Sequence, residues 1–151
     1  MDIGKICSRT VVTVREIDEL TAAAQLMREK HVGYLVVVEP KIADGTVSPV
    51  GVITDRDIVV AVVAKETNPR SLKVGDVMTR QPAVVDVGSS LSTALQLMRQ
   101  IGVRRLPVIG HAGMLVGVLS LDDVLDGLAG ELMDIAGSIR HGIKMEDALR
   151  P

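Results

Sequence analysis

The chain contains one unit written twice. Residues 3–8 read I-G-K-I-C-S and residues 74–79 read V-G-D-V-M-T, 71 positions later. At that offset Leu20, Ala23, Gln25, Leu26, Met27 and Arg28 meet Leu91, Ala94, Gln96, Leu97, Met98 and Arg99. Val32, Leu35 and Val37 then meet Val103, Leu106 and Val108. A longer loop in the first copy shifts the offset to 66, setting V-G-V-I-T-D-R-D (50–57) over V-G-V-L-S-L-D-D (116–123). Self-similarity over such a period constrains the fold before any local reading does. Two like units packed about a pseudo-twofold axis leave two related clefts, and clefts at such junctions are where small ligands bind.

Each copy carries the same order of signals. A short β segment opens it: V-V-T-V (11–14) in the first, A-V-V-D-V (83–87) in the second. An amphipathic helix follows, with Leu20, Ala23, Ala24 and Met27, and again Leu91, Ala94, Leu95 and Met98, at i, i+3, i+4, i+7. Asp18, and Ser89 or Ser90, are its candidate N-caps. Two strands come next: L-V-V-V (35–38) with V-G-V-I (50–53), and L-P-V-I (106–109) with L-V-G-V-L (115–119). The intervening A-D-G-T (43–46) and G-H-A-G (110–113) suit hairpin connections. The last element is ambiguous by pattern, since I-V-V-A-V-V-A (58–64) is β-branched enough to favour a strand. Thr54 and Asp57 ahead of it suit a helix start, and D-V-L-D-G-L (123–128) in the other copy has helical spacing, so a helix is expected. The expected fold is α+β: two β-α-β-β-α repeats, 3–66 and 74–131, related by a pseudo-twofold axis. Residues 67–73 form a linker with Asn-Pro and Ser signals. A helical tail, 132–151, carries Leu132, Ile135, Ile139 and Ile143 at helical spacing, although Gly137 and Gly142 weaken it by about 1 kcal/mol each.

Composition narrows the function. A chain of 151 residues with 47% hydrophobic and 24% charged residues is of the globular class. Its net charge of −2, without a block of like charge, disfavours nucleic acid and membrane surfaces as partners. Tyr34 is the only aromatic side chain, which nearly excludes stacking platforms for single strands. With one cysteine there is no disulfide framework, and no apolar run reaches membrane length, so the cytoplasm is the expected compartment. His31, His111 and His141 share no metal-ligand spacing. No nucleophile is paired with a base, so no catalytic role and no catalytic cofactor is expected.

Two patterns carry chemistry. Thr54-Asp55-Arg56-Asp57 and Ser120-Leu121-Asp122-Asp123 each set Ser/Thr-x-x-Asp between a strand and a helix. Each reads as a capping box. Each also reads as a grip on a sugar diol and an anion, because a carboxylate accepts two hydroxyls and a helix start offers unpaired N–H groups. In I-G-V-R-R-L-P-V-I (101–109), Arg104 and Arg105 precede a buried strand, where two guanidinium forks can clamp a phosphate.

The duplicated unit, the G-V-R-R-L-P strand entry and the G-V-[IL]-[TS]-x-x-D ending together resemble a pair of CBS domains, a Bateman module, over residues 3–131. The resemblance implies a regulatory module that binds AMP, ADP, ATP, NAD or a related adenosyl ligand. It implies pairing into a homodimer and signalling to an effector protein. By position, Asp57 would hold the ribose, Thr54 the ribose or phosphate with Arg56 beside them, and Arg104 and Arg105 the phosphates. Pro82, Ala83 and Val84 would line the adenine pocket. The related cleft would use Ser120, Asp123, Val11, Val12, Gly33 and Tyr34. Repeat one departs from the pattern, with His31 and Val36 in place of Gly102 and Pro107, and Gly33 and Tyr34 in place of the two arginines. That leaves the second cleft without an evident phosphate clamp. The alternatives are a structural or interaction module of the same fold without ligand, and a nucleotide hydrolase.

Overall fold

The computed structural model describes residues 1–41 and 45–150. The elements run in chain order as α1 (Ile3–Ile6), β1 (Thr13–Val14), α2 (Leu20–Lys30), β2 (Tyr34–Pro40), β3 (Val47–Thr54) and α3 (Asp55–Ile58). Then follow α4 (Val74–Val77), β4 (Thr79–Arg80), β5 (Val85–Asp86), α5 (Leu91–Ile101), β6 (Arg105–Ile109), β7 (Leu115–Ser120) and α6 (Leu121–Leu149). The repeated β-α-β-β-α order is therefore present in both halves. The segment after α3 is helical, as a π-helical turn over Val59–Val63. Its valines thus yield to the capping box that starts the helix. Thr54 Oγ1 accepts the Asp57 N–H at 3.1 Å while Asp57 Oδ2 accepts the Thr54 N–H at 2.8 Å. Ser120 and Asp123 repeat this box at the start of α6.

Two local expectations change. The β segments shorten to two residues each, because β1 pairs with β2 only at Thr13↔Val36 and Val14↔Val37, and β5 with β6 only at Val85↔Val108 and Asp86↔Ile109. Val11 and Val12 before β1, and Pro82 and Ala83 before β5, border the clefts. Asp18 is not the N-cap of α2: that position is Glu19, with no side-chain cap bond. The Asp18 carboxylate instead accepts the Arg15 N–H at 2.7 Å, closing the preceding turn. Ser90, of the two serines, caps α5 by accepting the Thr93 N–H. The A-D-G-T turn falls partly outside the described residues, although β2 and β3 on either side pair antiparallel. The G-H-A-G connection is a 3-10 turn between β6 and β7.

The start of each repeat packs in the other repeat's core. Ile3 and Cys7 are buried with Leu106, Val108 and Leu119, whereas Val74 and Met78 are buried with Leu35, Val37 and Ile53. The exchange keeps the pseudo-symmetry. Asp2 bridges to Ser90 as Lys73 bridges to Glu19. Ser8 bridges to Val118, and Thr79 pairs with Val52. The V-G-V of each repeat marks the crossing. A Cβ on Gly51 would lie 2.7 Å from Met78 Sδ and 3.0 Å from the Thr79 carbonyl oxygen. A Cβ on Gly117 would lie 2.7 Å from the Ser8 carbonyl oxygen and 3.0 Å from Cys7 Sγ. Only glycine lets the exchanged backbone come so close. Burial holds the Cys7 thiol above its ordinary pKa, so it stays protonated as a small apolar core group.

Helix α6 runs unbroken from Leu121 to Leu149, through Gly137 and Gly142. Among the described residues no helix is long and apolar enough to cross a membrane.

Candidate functional site

Two clefts open where the repeats meet. The larger has a volume of about 700 Å³ and the smaller about 260 Å³. Thr54, Arg56, Asp57, Pro82, Ala83, Arg104 and Arg105 all border the larger. Val11, Val12, Ser120 and Asp123 border the smaller. Gly33 and Tyr34, expected in the smaller cleft alone, line both. Val84 borders neither cleft, because it is the last residue before the short strand β5 turns the chain into its sheet.

The walls correspond residue for residue. Thr79, Gln81, Pro82 and Ala83 of the larger cleft stand 71 positions after Ser8, Thr10, Val11 and Val12 of the smaller. Gly102, Val103, Arg104 and Arg105 stand in the same relation to His31, Val32, Gly33 and Tyr34. Val52, Thr54 and Asp57 precede Val118, Ser120 and Asp123 by 66. Sequence reading missed Thr79, Gln81, Val52 and Val103, and their counterparts Ser8, Thr10, Val118 and Val32. The same two offsets, applied to the neighbours of each motif, point to all of them.

The correspondence is geometric, and the chemistry differs. Among the described residues, neither Arg104 nor Arg105 has an ion pair or a side-chain hydrogen bond, so their donors face the larger cleft uncommitted. Two unpaired guanidinium groups at one mouth favour an anion. Where Arg104 stands in repeat two, repeat one has Gly33, and a Cβ there would lie 2.5 Å from Asp55 Oδ2. A carboxylate thus takes the space that an arginine occupies in the other copy. The Arg105 guanidinium carbon lies 5.9 Å from the centre of the Tyr34 ring, a cation–π approach across the wall between the clefts. Arg105 therefore borders the smaller cleft as well, beside the Gly33 and Tyr34 that stand where repeat two has its arginine pair. Burial pushes the Tyr34 hydroxyl well above its ordinary pKa, with Arg105 opposing in part.

The two capping boxes also differ. Asp57 uses one oxygen on its own helix start, and its Oδ1 has no protein donor among the described residues. The Thr54 hydroxyl accepts from the Asp57 N–H and keeps its proton for another partner. In the smaller cleft the Ser120 hydroxyl donates to Asp123 Oδ2 at 2.6 Å, so its proton is already used. Gln81, at the larger cleft, has φ 49°, a left-handed backbone uncommon for a non-glycine residue and often found where a ligand is held. His31 and Gly102 both end their helices in the left-handed region, at φ 54° and 70°. Repeat one has the geometry of the family pattern without its glycine.

Comparison with known proteins is consistent with this architecture. A family profile, the CBS domain, matches residues 3–64 and again 74–130. An uncharacterized protein of Methanopyrus kandleri is 31% identical over 125 residues, which are 83% of this chain and 61% of that protein. The chain therefore spans less than two thirds of that relative's length. Bacillus subtilis YlbB is 34% identical over 87% of this chain and 83% of its own. Among solved structures, a CBS domain protein from Pyrobaculum aerophilum complexed with AMP superposes with a TM-score of 0.71 at 25% identity. The match covers 82% of this chain and 89% of that one. A hexameric CBS-CP12 protein from bloom-forming cyanobacteria superposes with a TM-score of 0.69 at 30% identity, over 83% of this chain and 69% of that one.

Proposed function

This chain belongs to the CBS-domain family, and we propose that it is a regulatory module that binds an adenine nucleotide, without turning it over, in its larger cleft. The observation that carries this is the convergence on one cleft of a carboxylate with an unused oxygen, a hydroxyl with an unused proton and two unpaired guanidinium groups. Oδ1 of Asp57 accepts from the ribose hydroxyls. The Thr54 hydroxyl and the forks of Arg104 and Arg105 take the phosphates, with Arg56 at the rim. Pro82 and Ala83 flank the base, which aliphatic walls must hold because the one aromatic ring lies against Arg105. A volume of about 700 Å³ falls within the range of ordinary ligand sites of roughly 300–1,000 Å³, and about 260 Å³ falls below it. The smaller cleft accordingly stays empty or takes a ligand with little phosphate charge. The AMP complex of the Pyrobaculum relative supports the ligand class.

The protein acts as a homodimer and passes the nucleotide state to an effector protein. The hexameric cyanobacterial relative and the exposed Val59, Val60 and Val63 of the π-helical turn support self-association. The test is mass spectrometry of what co-purifies with the protein, followed by thermal shifts with a panel of adenine nucleotides. A raised midpoint with AMP, ADP or ATP is the expected result. No shift with any of them favours the ligand-free structural module instead, and product formed from ATP or NAD identifies an enzyme.

A further inference from the structure

Helix α6 leaves the body of the molecule. A Cβ on Gly130, Gly137 or Gly142 would meet no other part of the chain within 4 Å, whereas one on Gly127 would still touch Met1 and Ile6. Met133, Ile143, Met145 and Leu149 are exposed on this stretch too, but its branched apolar side chains as far as Ile139 form one series. Leu125, Leu128, Leu132, Ile135 and Ile139 succeed one another at steps of three, four, three and four, and all are exposed, by 43–66%. Steps of three and four in strict alternation make a period of 3.5, the seam of a coiled coil rather than the 3.6 of a helix lying on a globular core. Most of a helix's stability comes from a packed apolar face, which this stretch lacks within its own chain, and the four glycines of α6 weaken it further.

Charge selects the occupant. From Asp122 to Asp134 the helix carries Asp122, Asp123, Asp126, Glu131 and Asp134 and no cation; from Ile135 to Met145 it carries Arg140, His141 and Lys144 and no anion, and Glu146 and Asp147 follow beyond the apolar seam. A copy of the same helix laid alongside in the reverse direction sets the acidic stretch against the basic one. A copy laid in the same direction sets like against like. Reversal also aligns the helix dipoles favourably and closes the pair on a twofold axis.

We propose that α6 is an antiparallel coiled-coil interface with α6 of a second copy of this chain, along the seam from Leu128 to Ile139. This rests on the homodimer reading and names the surface that forms it. Layers of the reversed pair join Leu128 with Ile139 and Leu132 with Ile135. The seam then places Arg140 beside the acidic start of the other copy's helix.

The experiment uses the full chain in sedimentation equilibrium over a micromolar concentration series. The wild type is expected at twice 16.1 kDa. Leu132→Glu and Ile139→Glu, at exposed positions outside both cores, should raise the dissociation constant at least 100-fold. Circular dichroism should show less helix in both, and the larger cleft should bind AMP as in the wild type. Arg140→Glu with Lys144→Glu should weaken the pair at least tenfold at low salt and less at high salt. Oxidative cross-linking fixes direction, since Cys7 is buried. A mixture of Leu128→Cys and Ile139→Cys chains should cross-link, and Leu128→Cys by itself should not. A wild-type monomer would overturn the homodimer and the seam together. A dimer unchanged by Leu132→Glu and Ile139→Glu would overturn the seam and leave the homodimer standing. Rapid cross-linking of Leu128→Cys with itself would overturn the antiparallel direction.

Discussion

In the proposed site Asp57 would have two jobs, divided between its two oxygens. One holds the start of α3, at 2.8 Å from the Thr54 N–H. The other has no donor among the described residues and is the one proposed to take the ribose. Removing hydrogen bonds to a charged group costs about 1.5–3 kcal/mol each, and tenfold in affinity is about 1.4 kcal/mol. Asp57→Ala should therefore weaken AMP or ATP binding at least tenfold in calorimetry, with Asp123→Ala clearly less damaging. Equal affinity in wild type and Asp57→Ala would remove Asp57 from the site. The same variant should lose about 0.5–2 kcal/mol of stability with its cap, read separately from a urea melt without nucleotide. Tyr34 offers a second test because the chain has no other tyrosine and no tryptophan. Burial raises the folded-state pKa above the ordinary value of 10.0. The stability this represents is complete below about pH 10, where both folded and unfolded tyrosine are protonated. It is lost as the pH climbs from there toward the folded value, because only the unfolded chain then releases the proton. Ultraviolet titration of tyrosinate should thus show a midpoint above 10, and Tyr34→Phe should blunt the alkaline loss of stability. A midpoint at 10 would mean that the ring is more open to water than its place beside Arg105 implies.

The elements were legible in the sequence where their causes are local. Heptad-like spacing marked α2 and α5, and Ser/Thr-x-x-Asp marked the starts of α3 and α6 and, at α3, overrode the β preference of four valines nearby. Asp18 misled because a side chain able to cap a helix can equally close the turn before it, and the Arg15 N–H was nearer. The V-G-V motif was visible as a repeat, but its reason was not. Gly51 and Gly117 are the places where a distant segment crosses a strand, and nothing within a few residues of either reports that crossing. Gly117→Ala should push Ser8 and Cys7 off β7 and cost about 1–3 kcal/mol as an overpacked core position. Urea denaturation checks this, with Gly130→Ala as the control: its Cβ meets nothing, so it should only add the helix preference of alanine, about 0.5–1 kcal/mol. No loss in Gly117→Ala would show that the exchanged segment shifts without strain. In the clefts, the arginine pair and both Ser/Thr-x-x-Asp boxes were legible as chemistry. Arg105 as a wall of both clefts was not, because its place against Tyr34 joins two repeats that the sequence presents separately.

At the scale of the molecule the duplicated unit and the packed unit are different objects. Ile3 is fully buried among residues more than eighty positions away. Ile3→Ala should cost about 2–5 kcal/mol. In hydrogen exchange the loss should fall on amides of β6 and β7 and not only on its own neighbours. Protection unchanged in those strands would mean that the second repeat holds its core without help. The same reciprocity sets an order of events during synthesis. A nascent chain that has emerged as far as Glu66 has all the residues of the first repeat but lacks Val74 and Met78, which finish its core. Ile3 and Cys7, meanwhile, have left the ribosome long before β6 and β7 exist to cover them. Neither half has a finished interior while the other is missing, so the ribosome releases one folding event rather than two in succession.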